Sequence, residues 1–128
     1  MNLLLDTHAY LWWVLDDAHL SSPARDAIAN PDNRVFLSAA SVYEMRYKHG
    51  RGRLPGAERL FENWDDNLAT DGFEPLGLTH HHALTAAALP DRHRDPFDRM
   101  IVATAICDGL TLVTRDPLNQ GYGASLLW

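Results

Sequence analysis

Residues 2–13, Asn2-Leu3-Leu4-Leu5-Asp6-Thr7-His8-Ala9-Tyr10-Leu11-Trp12-Trp13, run from a short apolar stretch through one acid into a segment of helical character. An unbroken apolar run of this length fits a strand covered on both faces. Sheet therefore gives way to helix at Asp6, the helix continuing from about Thr7 to Leu15. The passage recurs twice. Arg34-Val35-Phe36-Leu37 leads to Ser38, which can cap a helix running to His49 with Gly50 as its stop, and Leu110 to Val113 leads to Thr114-Arg115-Asp116.

The remaining chain alternates in the same way. Ser22-Pro23 offers an N-cap with proline at the first helical position, opening a helix to Ala29 that Asn30-Pro31-Asp32 ends. Leu60, Phe61, Trp64 and Leu68 mark one amphipathic helix, and Phe73 to Leu76 a short strand. Thr79 caps a helix through Leu89, Asp95-Pro96 starts another that reaches Asp108 and stops at Gly109, and Ser125 to Trp128 forms a last edge strand. Strands alternating with helices predict an α/β fold with a mainly parallel sheet, in which ligands gather beyond the carboxyl ends of the strands.

A chain of 128 residues suits a single domain spanning 1–128, and 46% hydrophobic with 22% charged residues is ordinary for a folded protein. The single cysteine, Cys107, excludes an intrachain disulfide and reads as a buried, inert thiol near a helix end. No secretory signal pattern follows Met1 and no apolar run approaches about 18 residues, so a soluble, cytoplasmic protein without a membrane partner is expected. A net charge of −6 argues against a protein that coats nucleic acid by bulk electrostatics. Local charge runs the other way: Arg46, Lys48, Arg51 and Arg53 lie within eight positions, and Arg99 follows an acidic motif. They suit the path of a phosphate backbone, although positive charge at a helix C-terminus is favourable in itself.

Four acids stand at element ends or on inward helix faces: Asp6, Glu44, Asp98 and Asp116. Each has a plain structural role open to it. Asp6 can cap a helix, Glu44 can pair with Lys48 one turn on, Asp98 can meet the helix dipole in a first turn, and Asp116 before Pro117 can begin a turn. If the fold brings them together, they make an oxygen-only pocket for hard divalent cations, the equipment for phosphodiester cleavage. Asp98 shares a face with Ile101, Val102 and Ala105, and an acid facing a core needs a partner. Asp95 is accounted for as the cap before Pro96 and is at most supporting.

Two further motifs carry less. His80-His81-His82 follows the cap Thr79 and reads as a surface helix start, because consecutive residues point around a helix. The Tyr10–Leu15 run is apolar on every side of its helix, which fits packing under the second helix or an interface with a second copy or another protein.

The stretches LLLDTHAYLWW (3–13), LSAASVYEM (37–45), LPDRHRDPFDRMIVATA (89–105), LTLVTRD (110–116) and YGASLLW (122–128) resemble, in this order and over nearly the whole chain, the PIN-domain ribonucleases, and within them the VapC-type toxins. The resemblance implies a PIN-like three-layer sandwich with a central, mainly parallel sheet of four to five strands flanked by helices. It implies Mg²⁺ or Mn²⁺ as cofactor, RNA as substrate and a VapB-like antitoxin as partner in a type II toxin-antitoxin pair, with a homodimer expected. Its acids fall on Asp6, Glu44, Asp98 and Asp116, with Asp95 an alternative third position and Thr7 and Thr114 placed to orient waters or carboxylates. A catalytically silent interaction module is the competing expectation. An aspartyl-phosphate hydrolase fits less well, because His8 stands where a second acid would be needed.

Overall fold

A computed structural model describes residues 1–52 and 58–128. Five strands form one sheet, β1 (Asn2–Leu5), β2 (Arg34–Ser38), β3 (Phe73–Leu76), β4 (Thr111–Val113) and β5 (Ser125–Leu127), in the order β3-β2-β1-β4-β5. Every pairing is parallel, with Leu4 opposite both Phe36 and Leu112. The helices among the described residues are α1 (Thr7–Val14), α2 (Ser22–Ala29), α3 (Ala39–Gly50), α4 (Glu58–Glu62), α5 (Trp64–Asp71), α6 (His80–Ala88) and α7 (Pro96–Asp108).

The period of two in β1 builds both faces at once. Leu3 and Leu5 pack with Tyr10, Ile28, Val35, Met45 and Phe73 on one side, whereas Leu4 packs with Ile101, Val102, Leu110 and Leu112 on the other. Helices therefore cover both faces, which makes the three layers expected from the resemblance. β3 tolerates Pro75 because it is an edge strand, paired only with β2. Gly109 closes α7 at φ +65°, a left-handed conformation that glycine adopts without a Cβ penalty.

The chain lays down β1, moves outward through β2 and β3, then returns to add β4 and β5 on the other side. The order thus reverses between β1 and β4, the position at which sheets of this type hold a ligand crevice beyond the carboxyl ends of the strands. Asp6 directly follows β1, and Thr114 directly follows β4. α3 packs against both α1 and α7, which brings Glu44 to the same end.

Several local expectations need correction. The N-cap of α2 is Ser21, whose hydroxyl accepts from Ala24 N–H, and Ser22 is already helical. The single helix expected around residues 60–68 is two, α4 and α5, broken where Asn63 leaves the helical region at φ −127°, ψ 52°. Asn67 Nδ2 donates to the carbonyl of Leu60 at 3.3 Å and satisfies one of the acceptors the break frees. α3 runs one residue past His49 and closes on Arg51. His82 is buried rather than at the surface, because its ring nitrogen Nδ1 accepts from the Thr79 N–H while Nε2 lies 3.1 Å from Asp108. Cys107 is exposed, since the buried stripe of α7 runs through residues 101–105, and its thiol instead contacts Thr85 Oγ1 at 3.2 Å.

Candidate active site

Asp6 is held by its own helix. Its Oδ1 accepts from Ala9 N–H at 2.8 Å, the cap expected at a strand-to-helix joint. The residue is only 8% exposed, and burial raises its carboxyl above the ordinary range. Thr114 and Ala9 oppose that rise by hydrogen bonding, and His8 by its charge, while the nearby Asp116 adds to it. Asp6 and Asp116 are thus neighbours across the switch point despite the length of chain between them.

Thr114 joins the two. Its hydroxyl donates to Asp6 and accepts from Asp116 N–H at 3.1 Å and from Asn119 Nδ2 at 2.8 Å. Asp116 Oδ1 accepts from Leu118 N–H at 2.9 Å, so the turn reading of this residue is also real. Thr7 donates instead to Ser41 at 3.1 Å, tying α1 to α3 below the acids.

Glu44 is the least ordinary of the four. Its side chain is 4% exposed, Oε2 is 2.7 Å from Lys48 Nζ, and Oε1 is buried without a hydrogen-bond partner. The i,i+4 pair with Lys48 is present as sequence spacing suggests, yet it occupies one oxygen only. Asp98 caps nothing. Burial first, then the charges of Asp95, Glu44 and Asp6, push its carboxyl up to about 7, with His93 acting in the opposite sense. Mutual repulsion of this kind requires the acids to share one neighbourhood. Asp95 is the α7 cap, accepting from Phe97 N–H at 2.8 Å, and lies close enough to Asp98 to raise it.

Sequence reasoning missed His93. It is 6% exposed, with Nε2 3.0 Å from Asp116 Oδ2 and Nδ1 3.7 Å from Asp98 Oδ2. The approach to Asp116 is short but not aligned as a hydrogen bond. In sequence His93 sits in a loop between two arginines, and nothing there marks it as buried.

The basic residues divide. Arg99 is not available to a strand of RNA: its guanidinium donates to the carbonyls of Ala86 at 2.8 Å, Leu89 at 2.6 Å, Pro90 at 3.0 Å and His93 at 3.1 Å, closing the end of α6 and the following loop. Lys48 is bound to Glu44. Arg46 is exposed and lies over Phe61, and Arg51 stacks 3.5 Å from the centre of the Tyr47 ring. Arg53 lies outside the described residues. Tyr43, stacked on Tyr47 and against Phe97, extends an exposed aromatic strip from Arg51 to the start of α7 beside Asp98.

Five parallel strands, helices on both faces and acids gathered at the switch point define an α/β protein with an acidic, oxygen-donor cleft. The PIN domain pattern matches residues 3–118, and the chain belongs to the PIN domain family. It is 36% identical over 116 residues to Ribonuclease VapC22 of Mycobacterium tuberculosis, covering 90% of this chain and 87% of that protein. Among solved structures it is similar to DNA-bound VapBC from Salmonella typhimurium, with TM-score 0.72 and 18% identity over 99% of this chain and 97% of that one. VapBC2 from Rickettsia felis, bound to a promoter DNA fragment, gives TM-score 0.71 and 17% identity over 99% and 98%.

Proposed function

We propose that this chain is a metal-dependent endoribonuclease, the toxin of a type II toxin-antitoxin pair, that hydrolyses RNA to 5′-phosphate and 3′-hydroxyl ends. Its likeness to a VapC ribonuclease supports the activity. The observation that carries the metal dependence is Glu44 Oε1, a buried carboxylate oxygen without a partner in a cleft shared with Asp6, Asp98 and Asp116. Lys48 meets the other oxygen, Oε2, and a buried carboxylate with one oxygen unsatisfied still gains from a further cation.

The competing view of a silent module gains from the caps, since Asp6, Asp95 and Asp116 all hold helix or turn N–H groups. Each cap contact uses one carboxylate oxygen, and the second faces other groups of the site, as Asp116 Oδ2 faces His93 Nε2 at 3.0 Å. Glu44 and Asp98 cap nothing, and helix formation gives no reason for either to be buried among other acids.

Asp6, Glu44, Asp98 and Asp116 fit Mg²⁺ or Mn²⁺, hard ions that take carboxylate oxygens. Such an ion supplies charge at the phosphoryl oxygens and a water acidified for attack on phosphorus. The chain's own part is orientation. Thr114 fixes Asp6 and Asp116 together, the Ala9 N–H fixes the angle of Asp6, and Lys48 holds one oxygen of Glu44 so that the other faces the cleft. Because water rather than the 2′-hydroxyl attacks, the ends differ from those of a cyclising ribonuclease. Arg46, Arg51 and the Tyr43–Tyr47 strip supply a charged and stacking path for single-stranded RNA, to which Lys48 in part adds charge.

The name VapBC, carried by two of the related structures, points to a small antitoxin partner. A cleft of about 460 Å³ lined by His8, Leu11, Trp12, Leu15, Met45 and Lys48 opens beside Thr7 and offers that partner an apolar seat. The exposed end of the Tyr10–Leu15 run serves this contact or that between two copies in a homodimer. Expression in a bacterial host should arrest growth, with relief by the co-expressed neighbouring antitoxin or by Asp6→Asn. Growth unaffected by the wild-type chain, or arrest undiminished by Asp6→Asn, would reject the toxin reading.

A further inference from the structure

We propose that His93 is a nitrogen ligand on the Asp98–Asp116 side of the metal site, and that it tilts the pocket toward a transition-series ion such as Mn²⁺ over Mg²⁺. This rests on the metal-dependent reading above and adds to it a donor of different chemistry.

Three observations lead there. First, one donor atom from each of His93, Asp98 and Asp116 lies within 4.8 Å of the others. Ligand bonds of about 2.0–2.2 Å put two donors on one ion up to about 4.4 Å apart, so small side-chain adjustments suffice. Second, His93 is more than nine-tenths buried and its Nε2 has no hydrogen-bond partner, although Asp116 Oδ2 is 3.0 Å away. A buried ring nitrogen that approaches a carboxylate without a hydrogen bond to it is left open to a further partner.

Third, the backbone that carries the imidazole is held by groups with no part in the acid cluster. The His93 backbone N–H donates to the Tyr122 hydroxyl at 2.6 Å, that hydroxyl donates to the Pro90 carbonyl at 3.2 Å, and the His93 backbone carbonyl accepts from Arg99 at 3.1 Å. Arg92 lies flat over Gly121, where a Cβ would come within 2.9 Å of its guanidinium, so the Tyr122 turn can close on the loop. The loop at 90–95 is thus fixed on both sides of His93. A backbone fixed in this way limits how far the ring must move to meet an ion.

Chemistry then sets the preference. Mg²⁺ keeps to oxygen donors and gives up water reluctantly, whereas imidazole nitrogen suits first-row transition ions. An oxygen-only pocket would bind both by charge, and one nitrogen breaks the tie.

The test is Mn²⁺ added below stoichiometry to the full chain, with pulsed paramagnetic resonance reading nitrogen coupling to the ion. Wild type should show directly bound nitrogen, its modulation changing from the ¹⁴N to the ¹⁵N pattern when histidine alone is ¹⁵N-labelled. His93→Gln should lose that coupling, and its Mn²⁺ affinity should fall by roughly tenfold or more, the scale on which even outer-shell partners affect metal binding, while Mg²⁺ affinity changes less. Should the variant fail to fold, the labelled spectrum of His8→Gln decides instead: coupling kept there supports His93 over the histidine beside Asp6, and coupling lost overturns its role. Mn²⁺ bound without histidine coupling, or a variant with an unchanged Mn²⁺ to Mg²⁺ preference, would overturn the role of His93 and leave the four-acid site standing. No bound Mn²⁺ at all would overturn both.

Discussion

Asp98 shows how one carboxyl reports the state of the whole cleft. Burial and neighbouring acids raise it to about 7, so the folded chain holds a proton there that the unfolded chain, near the ordinary value of 3.8, has lost. Between about pH 4 and pH 7 the folded state therefore binds more protons, and its stability falls as pH rises. Without metal, the melting temperature of Asp98→Asn should gain on wild type across that window and level off above it, as followed by calorimetry at several pH values. Mn²⁺ should narrow the gap, since the cation replaces the proton. A second expectation concerns Thr114, whose hydroxyl touches both Asp6 and the Asp116 N–H. Thr114→Val should weaken metal binding by about 10–100-fold in a Mn²⁺ titration while the circular dichroism spectrum is retained. The four acids and Thr114 stand out in the sequence because each is polar at the end of, or within, an apolar run. His93 does not, because its burial depends on Tyr122 and Arg99, partners that local pattern does not connect to it.

Elements were legible where their signals are local. Ser38, Thr79, Asp95 and Gly109 sit where caps are expected, and each makes the cap contact. The break between α4 and α5 was not legible, since Leu60, Phe61, Trp64 and Leu68 keep a helical spacing across Asn63. Arg99 misled for a related reason: charge beside an acidic motif looks like a phosphate contact, whereas its partners are carbonyls at the end of the preceding helix. Arg99→Ala should lower stability by about 2 kcal/mol, the effect of losing charged hydrogen bonds to partly buried carbonyls, measurable by urea unfolding. If its role were RNA contact instead, stability would stay within about 0.5 kcal/mol of wild type.

The whole molecule places function through topology. A strand order of β3-β2-β1-β4-β5 creates one reversal, and the residues after β1 and β4 meet there whatever the loops do. The alternation of strands and helices made the parallel sheet readable in advance, whereas the partition of the surface was not. Among the described residues no helix is long and apolar enough to cross a membrane. Although the net charge is −6, the path proposed for a phosphate backbone runs along Arg51 and its aromatic neighbours. Arg51→Ala should weaken RNA binding at low salt, and the difference should shrink as salt rises, in filter-binding or anisotropy measurements. The central claim, that carboxylates from distant parts of the chain make one cation-dependent nuclease site, is tested most directly by incubating the purified chain with a structured RNA, first in chelator and then in Mn²⁺, and mapping the ends. Cleavage only with the cation, leaving 5′-phosphate and 3′-hydroxyl and lost in Asp6→Asn, is the result predicted. Undiminished cleavage in chelator, or in Asp6→Asn, would contradict it.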